Sequence, residues 1–367
     1  MTLVAAVSLE SYPVIFGDLL ISGPGRSATA PSIPLVDQAA DAPAGPEWTL
    51  PGLDQKLVLL ADNCVIAWAG TVASARAVIG ELRAIASTAP LSMNVIETYL
   101  SQIDPAVKDE VSLVGWVRDD GVFHQFWYRA DVAESPMFGR ISAGGSAATG
   151  FVKLASQISE GPVSVQGETL NSLERAIASM LSATSLLLQA ELSGQSDLLH
   201  HFGDGYEIAT FIGDKFAKLS DITVVSWNAD VADGQVTLTG PEFILKQDYA
   251  GESLLLQTLR MRPGKAPKDP SVVEEDKRVI SPFGSPVDAV QAAGVSWPGM
   301  EATFTCHVVF VRSPKDFAVV NQVEYSQSRT PGSIRFSLDD GSQRPFAVSQ
   351  QFCEALLKSI HAGFAHL

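Results

Sequence analysis

Thr2-Leu3-Val4-Ala5-Ala6-Val7, followed by Pro13-Val14-Ile15-Phe16-Gly17-Asp18, is the stretch on which the interpretation of this chain turns. The first run is strand-like, and the second is an apolar run that closes on Gly17-Asp18. A threonine that becomes the first residue of a chain is a strong nucleophile. Its hydroxyl attacks, and its own α-amine is the nearby base. Removal of Met1 creates that arrangement at Thr2, because aminopeptidases accept a small residue in the second position.

Residues 22–54 come next, rich in Pro, Ala, Gly and Ser, as in Asp41-Ala42-Pro43-Ala44-Gly45-Pro46. They predict a long loop with no periodicity of its own. Two strand-like runs follow, Gln55-Lys56-Leu57-Val58-Leu59-Leu60 and Cys64-Val65-Ile66-Ala67-Trp68-Ala69-Gly70, with the turn Ala61-Asp62-Asn63 between them. Val72 to Ala86, VASARAVIGELRAIA, is an amphipathic helical stretch.

Thr2 and Asp18 stand sixteen positions apart, and Lys56 and Gly70 fourteen. With a helix starting just after Gly70, this order resembles the proteasome β-subunit and the related peptidase subunit of the bacterial two-component ATP-dependent protease. Both are N-terminal-nucleophile hydrolases of the threonine type. The match is good over residues 2 to 90 and loosens by about 150. The interval from Asp18 to Lys56 is longer than in that family, so 22–54 counts as a loop insertion beside the site.

The resemblance implies a catalytic set of Thr2, Asp18, Lys56 and Gly70. Thr2 Oγ1 attacks an amide carbonyl carbon and its proton passes to the α-amine. An ammonium at Lys56 keeps that amine neutral, since like charges disfavour each other. Asp18 holds Lys56 charged and in place, and the Gly70 N–H faces the developing oxyanion. Ser146, in Gly144-Gly145-Ser146, matches the family's serine support. Trp68 and Val72 match positions that line the substrate pocket. An indole at the pocket base implies a preference for small, neutral side chains. The family's Asp-x-x-Ser-Gly-Gly support aligns with Leu199-His200-His201-Phe202-Gly203-Asp204, which lacks its acidic and serine members.

Helices are predicted over 72–87, 92–103 and 168–193, with a closing helix over 348–362. Strands are predicted at 111–118 and 122–129 around the turn Asp119-Asp120-Gly121, a hairpin signal. The expected fold class is α+β, a four-layer α-β-β-α sandwich of the N-terminal-nucleophile hydrolase type with a β-rich C-terminal extension. Residues 1–234 form the hydrolase domain. Residues 235–367 form a β-rich accessory region with a closing helix, and Arg262 to Pro270 is a linker or long loop.

The chain has 367 residues and a net charge of −16, which argues against nucleic acid as a partner. Cys64, Cys306 and Cys353 are far apart and form no CxxC pair, so neither a disulfide framework nor a metal site is expected. No cofactor is called for. No signal-like segment or long apolar run is found, which leads to a cytoplasmic expectation with no membrane partner. The resemblance implies a peptide or protein substrate, a homo-oligomer with a ring in view, and an ATPase or activator partner. Two functions stand side by side. One is a threonine peptidase or amidase acting through Thr2. The other is an inactive proteasome-fold protein acting in assembly or binding. A relative acting on a small non-peptide amide is a third.

Overall fold

A computed structural model describes residues 2–24, 48–157, 164–167, 169–192, 203, 205–232, 235–262, 272–284, 295–313, 317–329, 334–336 and 346–364. The middle of the predicted 22–54 loop, His200, His201 and nearly all of the predicted 262–270 linker lie outside these residues.

The chain opens with a hairpin of β1 (Val4–Leu9) and β2 (Tyr12–Asp18). Its loop residues, Glu10 and Ser11, both have positive φ, 50° and 70°. That conformation suits the twist of the strands it joins. β3 (Leu20–Pro24) and β4 (Trp48–Leu53) pair as a separate two-stranded ribbon, so the ends of the predicted loop are strand. Next come β5 (Leu57–Ala61), β6 (Cys64–Gly70), α1 (Val72–Thr88), α2 (Met93–Ser101) and the short α3 (Pro105–Lys108). Thr71 and Ser92 cap α1 and α2 by accepting the main-chain N–H groups of Ser74 and Val95. The predicted hairpin is β7 (Val111–Asp119) and β8 (Val122–Tyr128), turned by Asp120 and Gly121, again both at positive φ.

β9 (Asp131–Ser135), β10 (Gly139–Gly144), α4 (Ala148–Gln157), β11 (Ser164–Gly167) and α5 (Ser172–Leu192) follow. Then come β12 (Tyr206–Ile212), β13 (Lys215–Lys218), β14 (Ile222–Ala232), β15 (Gln235–Ala250), β16 (Ser253–Arg262) and β17 (Val272–Ile280). β18 (Phe304–Arg312), β19 (Phe317–Tyr325), β20 (Ile334–Phe336), β21 (Phe346–Val348) and α6 (Gln350–Phe364) close the chain.

Three large sheets result. A six-stranded sheet runs β13-β12-β2-β1-β10-β9, and a four-stranded sheet runs β5-β6-β7-β8. A seven-stranded sheet runs β11-β19-β18-β14-β15-β16-β17, in which β11–β19 and β14–β18 are the parallel pairs. Alternation along the strands sets the packing. Val4, Ala6 and Ile15 meet Leu57, Val65, Ala67 and Val114 between the six- and four-stranded sheets. The intervening residues Leu3, Ala5 and Val7 face the opposite way, into a core shared with α4, α5 and the seven-stranded sheet. α1 and α2 cover the outer face of the four-stranded sheet. α6 covers the far face of the seven-stranded sheet through Phe352, Leu356 and Ile360.

The expected four-layer α-β-β-α sandwich is therefore corrected. Among the described residues strand far outweighs helix, and the strands form several largely antiparallel sheets. The physical reason lies in β14, which buries both faces. Ile222 and Val224 enter the core around α5, while Val225, Trp227 and Ala229 lie under α6. A strand buried on both sides is a central strand. The residues expected to be an extension thus belong to a large sheet that shares its core with β1. The boundary drawn at 234/235 falls between β14 and β15, which pair antiparallel along all of β14. Among the described residues, no helix is long and apolar enough to cross a membrane.

A fragment ending at residue 234 is expected to lack cooperative thermal unfolding. It strips β14 of both β15 and β18 and uncovers one side of α5. A soluble fragment with a sharp transition near that of the full chain would contradict the shared core.

Candidate functional site

The β1–β2 register, Val4 opposite Gly17, places Asp18 beside Leu3. The Leu3 N–H donates to Asp18 Oδ1 at 3.0 Å, and the Asp18 N–H donates to the Leu3 carbonyl at 2.9 Å. Gly203, the one described residue of the 199–204 segment, donates its N–H to Asp18 Oδ2 at 3.2 Å. Gly17 makes room for the next element: a Cβ there would stand 2.9 Å from Lys56 Cβ.

Lys56 enters just ahead of β5. Its Nζ donates to Thr2 Oγ1 at 3.2 Å and to the Leu20 carbonyl at 3.0 Å. It also lies 4.6 Å from the centre of the Trp68 ring, a cation–π distance. Its main-chain N–H donates to Glu207 Oε2 at 2.7 Å. Lys56 and Asp18 are 0% exposed and Thr2 is 5% exposed.

The loop after β10 wraps the start of the chain. Gly145 has φ +97°, and a Cβ on it would stand 2.0 Å from the Thr2 carbonyl oxygen. Glycine is required there on both counts. The Thr2 main-chain nitrogen donates to Ser146 Oγ at 3.3 Å, and the Ala147 N–H reaches the Thr2 carbonyl at 3.4 Å. Gly70, at the exposed end of β6, has φ +113°, and a Cβ there would lie 2.0 Å from the Glu110 carbonyl oxygen. Its neighbours are pinned. The Thr71 N–H donates to that same carbonyl at 2.9 Å, and Ser74 Oγ donates to the Glu110 carboxylate at 2.6 Å.

Thr2, Asp18, Lys56 and Ser146 are thus brought together, with Ala69, next to Gly70, packed close to Gly145. Trp68 is placed differently from the expectation. It is fully buried among the side chains under α1 and α2, its ring 4.2 Å from that of Phe283 and its Nε1 donating to the Gln55 carbonyl at 3.2 Å. Val72 is half-buried against the same cluster. With Trp68 inside the core, the inferred preference for small, neutral side chains loses its basis.

Burial dominates the electrostatics. It holds the Lys56 ammonium below its ordinary pKa of 10.5, against the opposing charges of Asp18, Asp54 and Glu207. It pushes the Asp18 carboxyl up from 3.8 to about 6, against the pull of Lys56 and of the Leu3 and Gly203 N–H groups. Asp54 is likewise raised by burial to about 6. Among the described residues Asp18 and Lys56 make no direct ion pair, so their charges act on one another at longer range. Both shifts favour the neutral forms, the response expected of ionisable groups removed from water. Lys56 is therefore closer to a neutral amine than the permanently charged partner expected of it.

Glu207 escaped the sequence reading. It is fully buried, and its Oε2 accepts the N–H groups of Lys56 and Leu57. Its Oε1 accepts from Lys218 Nζ at 2.7 Å and from the Tyr249 hydroxyl at 2.9 Å. The available signal was a lone acid in the apolar run Tyr206-Glu207-Ile208-Ala209, which must carry partners if buried. Among the described residues, no group of three or more His, Cys, Asp or Glu side chains is placed to hold a metal ion. No protein-family model matches this chain, and no curated protein matches it.

A pH test follows from Asp18. Its folded pKa of about 6 lies above the ordinary 3.8, so the folded state binds the proton more tightly between those values. Stability from this group is full below about pH 4 and is lost as pH rises through about 6, by about 3 kcal/mol at about 1.36 kcal/mol per pH unit. The unfolding free energy of Asp18→Asn minus that of the unsubstituted protein should therefore rise by about this amount between pH 4 and 7. A difference that stays flat over that range would show that Asp18 is not held in this environment.

Proposed function

We propose that the protein is an N-terminal threonine amide hydrolase, a threonine-type peptidase or amidase whose nucleophile is Thr2 once Met1 is removed. The observation that carries this reading is the hydrogen bond between Lys56 Nζ and Thr2 Oγ1, made inside a buried site that also contains Asp18.

The chemistry follows from the placement. Thr2 Oγ1 attacks the amide carbonyl carbon. Lys56 Nζ lies within proton-transfer distance and is biased toward the neutral amine by burial, so it takes the hydroxyl proton. This differs from the expected route, in which the α-amine is the base. Collapse of the tetrahedral intermediate breaks the carbon–nitrogen bond, and the same proton passes to the departing amine. Water then cleaves the Thr2 ester by the reverse sequence and restores the hydroxyl. Gly70, at the exposed end of β6, is the expected oxyanion donor. Asp18 sets the local potential and anchors the main chain next to Thr2 through Leu3. Peptides or small amides are the substrates of this proposal. Self-association belongs to it through the resemblance alone, and a cytoplasmic location through the sequence expectation alone.

One observation favours a second reading. Thr2 is almost wholly buried, and its main-chain nitrogen is engaged by Ser146. If Met1 is retained, Thr2, Lys56 and Asp18 form a structural polar network, and the protein acts by binding or in assembly.

Intact-mass measurement separates the two. The hydrolase reading expects a mass lacking Met1 and an adduct with a β-lactone or epoxyketone probe that maps to Thr2. Retained Met1, or labelling that persists in Thr2→Ala, would rule it out. In an active preparation, Lys56→Ala is expected to lower kcat/KM by at least a hundredfold. The profile should show an acidic limb where Lys56 takes up a proton and ceases to be a base, and Asp18→Asn should move that limb to lower pH, because the carboxylate favours the charged ammonium. A limb that Asp18→Asn leaves unmoved, or a Lys56→Ala variant close to full activity, would remove the two residues from the reaction.

A further inference from the structure

A cleft of about 400 Å³ opens where β5 and β13, the edge strands of the four- and six-stranded sheets, come together. Thr2, Asp18, Gly70 and Ser146 do not line it. Its volume lies in the range of small-molecule sites, about 300–1,000 Å³. The rings of Phe216 and Phe283, both buried, form part of its lining, and Leu59 of β5 lies along it 36% exposed. An apolar side chain left in contact with water beside buried aromatic rings provides surface for an apolar ligand to cover.

The charges in the cleft are sorted by depth. Lys218, its side chain 12% exposed, is already committed: its Nζ donates to Glu207 Oε1 and to Gln55 Oε1. Arg83 of α1 is half-buried, and its guanidinium lies beside Gly284, where an added Cβ would come within 3.2 Å of Nη1. Lys215 projects from β13. Among the described residues, neither Arg83 nor Lys215 makes an ion pair or a side-chain hydrogen bond. The acids of the lining, Asp62 and Glu252, are exposed. In a chain of net charge −16, a cleft presenting two uncommitted cations beside apolar surface is a local exception.

We propose that this cleft is a binding site for a small carboxylate with an apolar tail, its carboxylate held by Arg83 and Lys215 and its tail lying along Leu59 toward Phe216 and Phe283. An arginine suits a carboxylate because its planar fork can donate two parallel hydrogen bonds. The apolar tail distinguishes this ligand from an inorganic anion, which would leave Leu59 uncovered. The site does not depend on the Thr2 reading, since it shares no side chain with it. The two adjoin through Glu207, which holds Lys218 on the cleft side and the Lys56 main chain on the other.

Isothermal titration of the full chain tests this with octanoate as the probe. Octanamide, acetate and sulfate are the controls. The expected result is saturable one-to-one binding of octanoate, with octanamide, acetate and sulfate each at least tenfold weaker. The Arg83→Gln/Lys215→Gln double variant should weaken octanoate at least tenfold, as should Leu59→Glu, which places a like charge on the apolar wall. Both changes sit at accessible positions, and an unchanged melting profile would verify folding. Absence of saturable binding would overturn the proposal. So would octanamide binding as well as octanoate, sulfate binding as well as octanoate, or full affinity in either variant.

Discussion

A lysine ammonium removed from water is the constraint around which the N-terminal half of this protein is arranged. Lys56 is wholly enclosed, and its donors reach Thr2 Oγ1 and the Leu20 carbonyl, with the Trp68 ring against the charge. Isolated buried charges are costly, so such a group shifts toward its neutral form or collects partners. Both responses are present. Asp18, Asp54 and Glu207 all act on Lys56 through their charges, and burial still prevails. The surrounding backbone is shaped for this residue: Gly17 lacks the Cβ that would collide with it, and Glu207 fixes its main chain.

The layers explain how that cost is sustained. β1 buries Val4 and Ala6 against one sheet and Leu3, Ala5 and Val7 against helices and a further sheet. Thr2 therefore stands two residues ahead of a strand enclosed on both faces, and its position follows from the register of β1 with β2 and β10. The seven-stranded sheet contributes to the same core through Val224, Leu245 and Leu256. Its β15 also supplies Tyr249, the hydroxyl that shares Glu207 with Lys218. Rigidity at Lys56 thus draws on residues nearly two hundred positions away in the chain.

What was legible in the sequence, and what was not, divides along a physical line. The spacing of Thr2 and Asp18 could be read because a two-residue hairpin loop fixes which residues face each other. The β7–β8 turn and helices α1, α2, α5 and α6 announce themselves by local pattern. The orientation of Trp68 did not follow from its position relative to Gly70. It shares strand parity with Cys64 and Ile66, which point under α1, whereas Val65, Ala67 and Ala69 face the neighbouring sheet. Glu207 was invisible because its partners come from three other segments. The seven-stranded sheet was misjudged because β14 pairs in parallel with β18, a distant contact that no local periodicity records. That sheet is what turned the expected sandwich with an extension into a mostly β protein.

The central claim is that Lys56 is enclosed with Thr2 and Asp18 and biased toward a neutral amine. Protein labelled with nitrogen-15 at lysine side chains tests this directly by NMR titration, with Lys56→Met assigning the resonance. One Nζ signal should titrate below the ordinary 10.5 and should move lower still in Asp18→Asn, where the stabilising carboxylate is gone. A Lys56 Nζ that titrates near 10.5, unaffected by Asp18→Asn, would contradict the account.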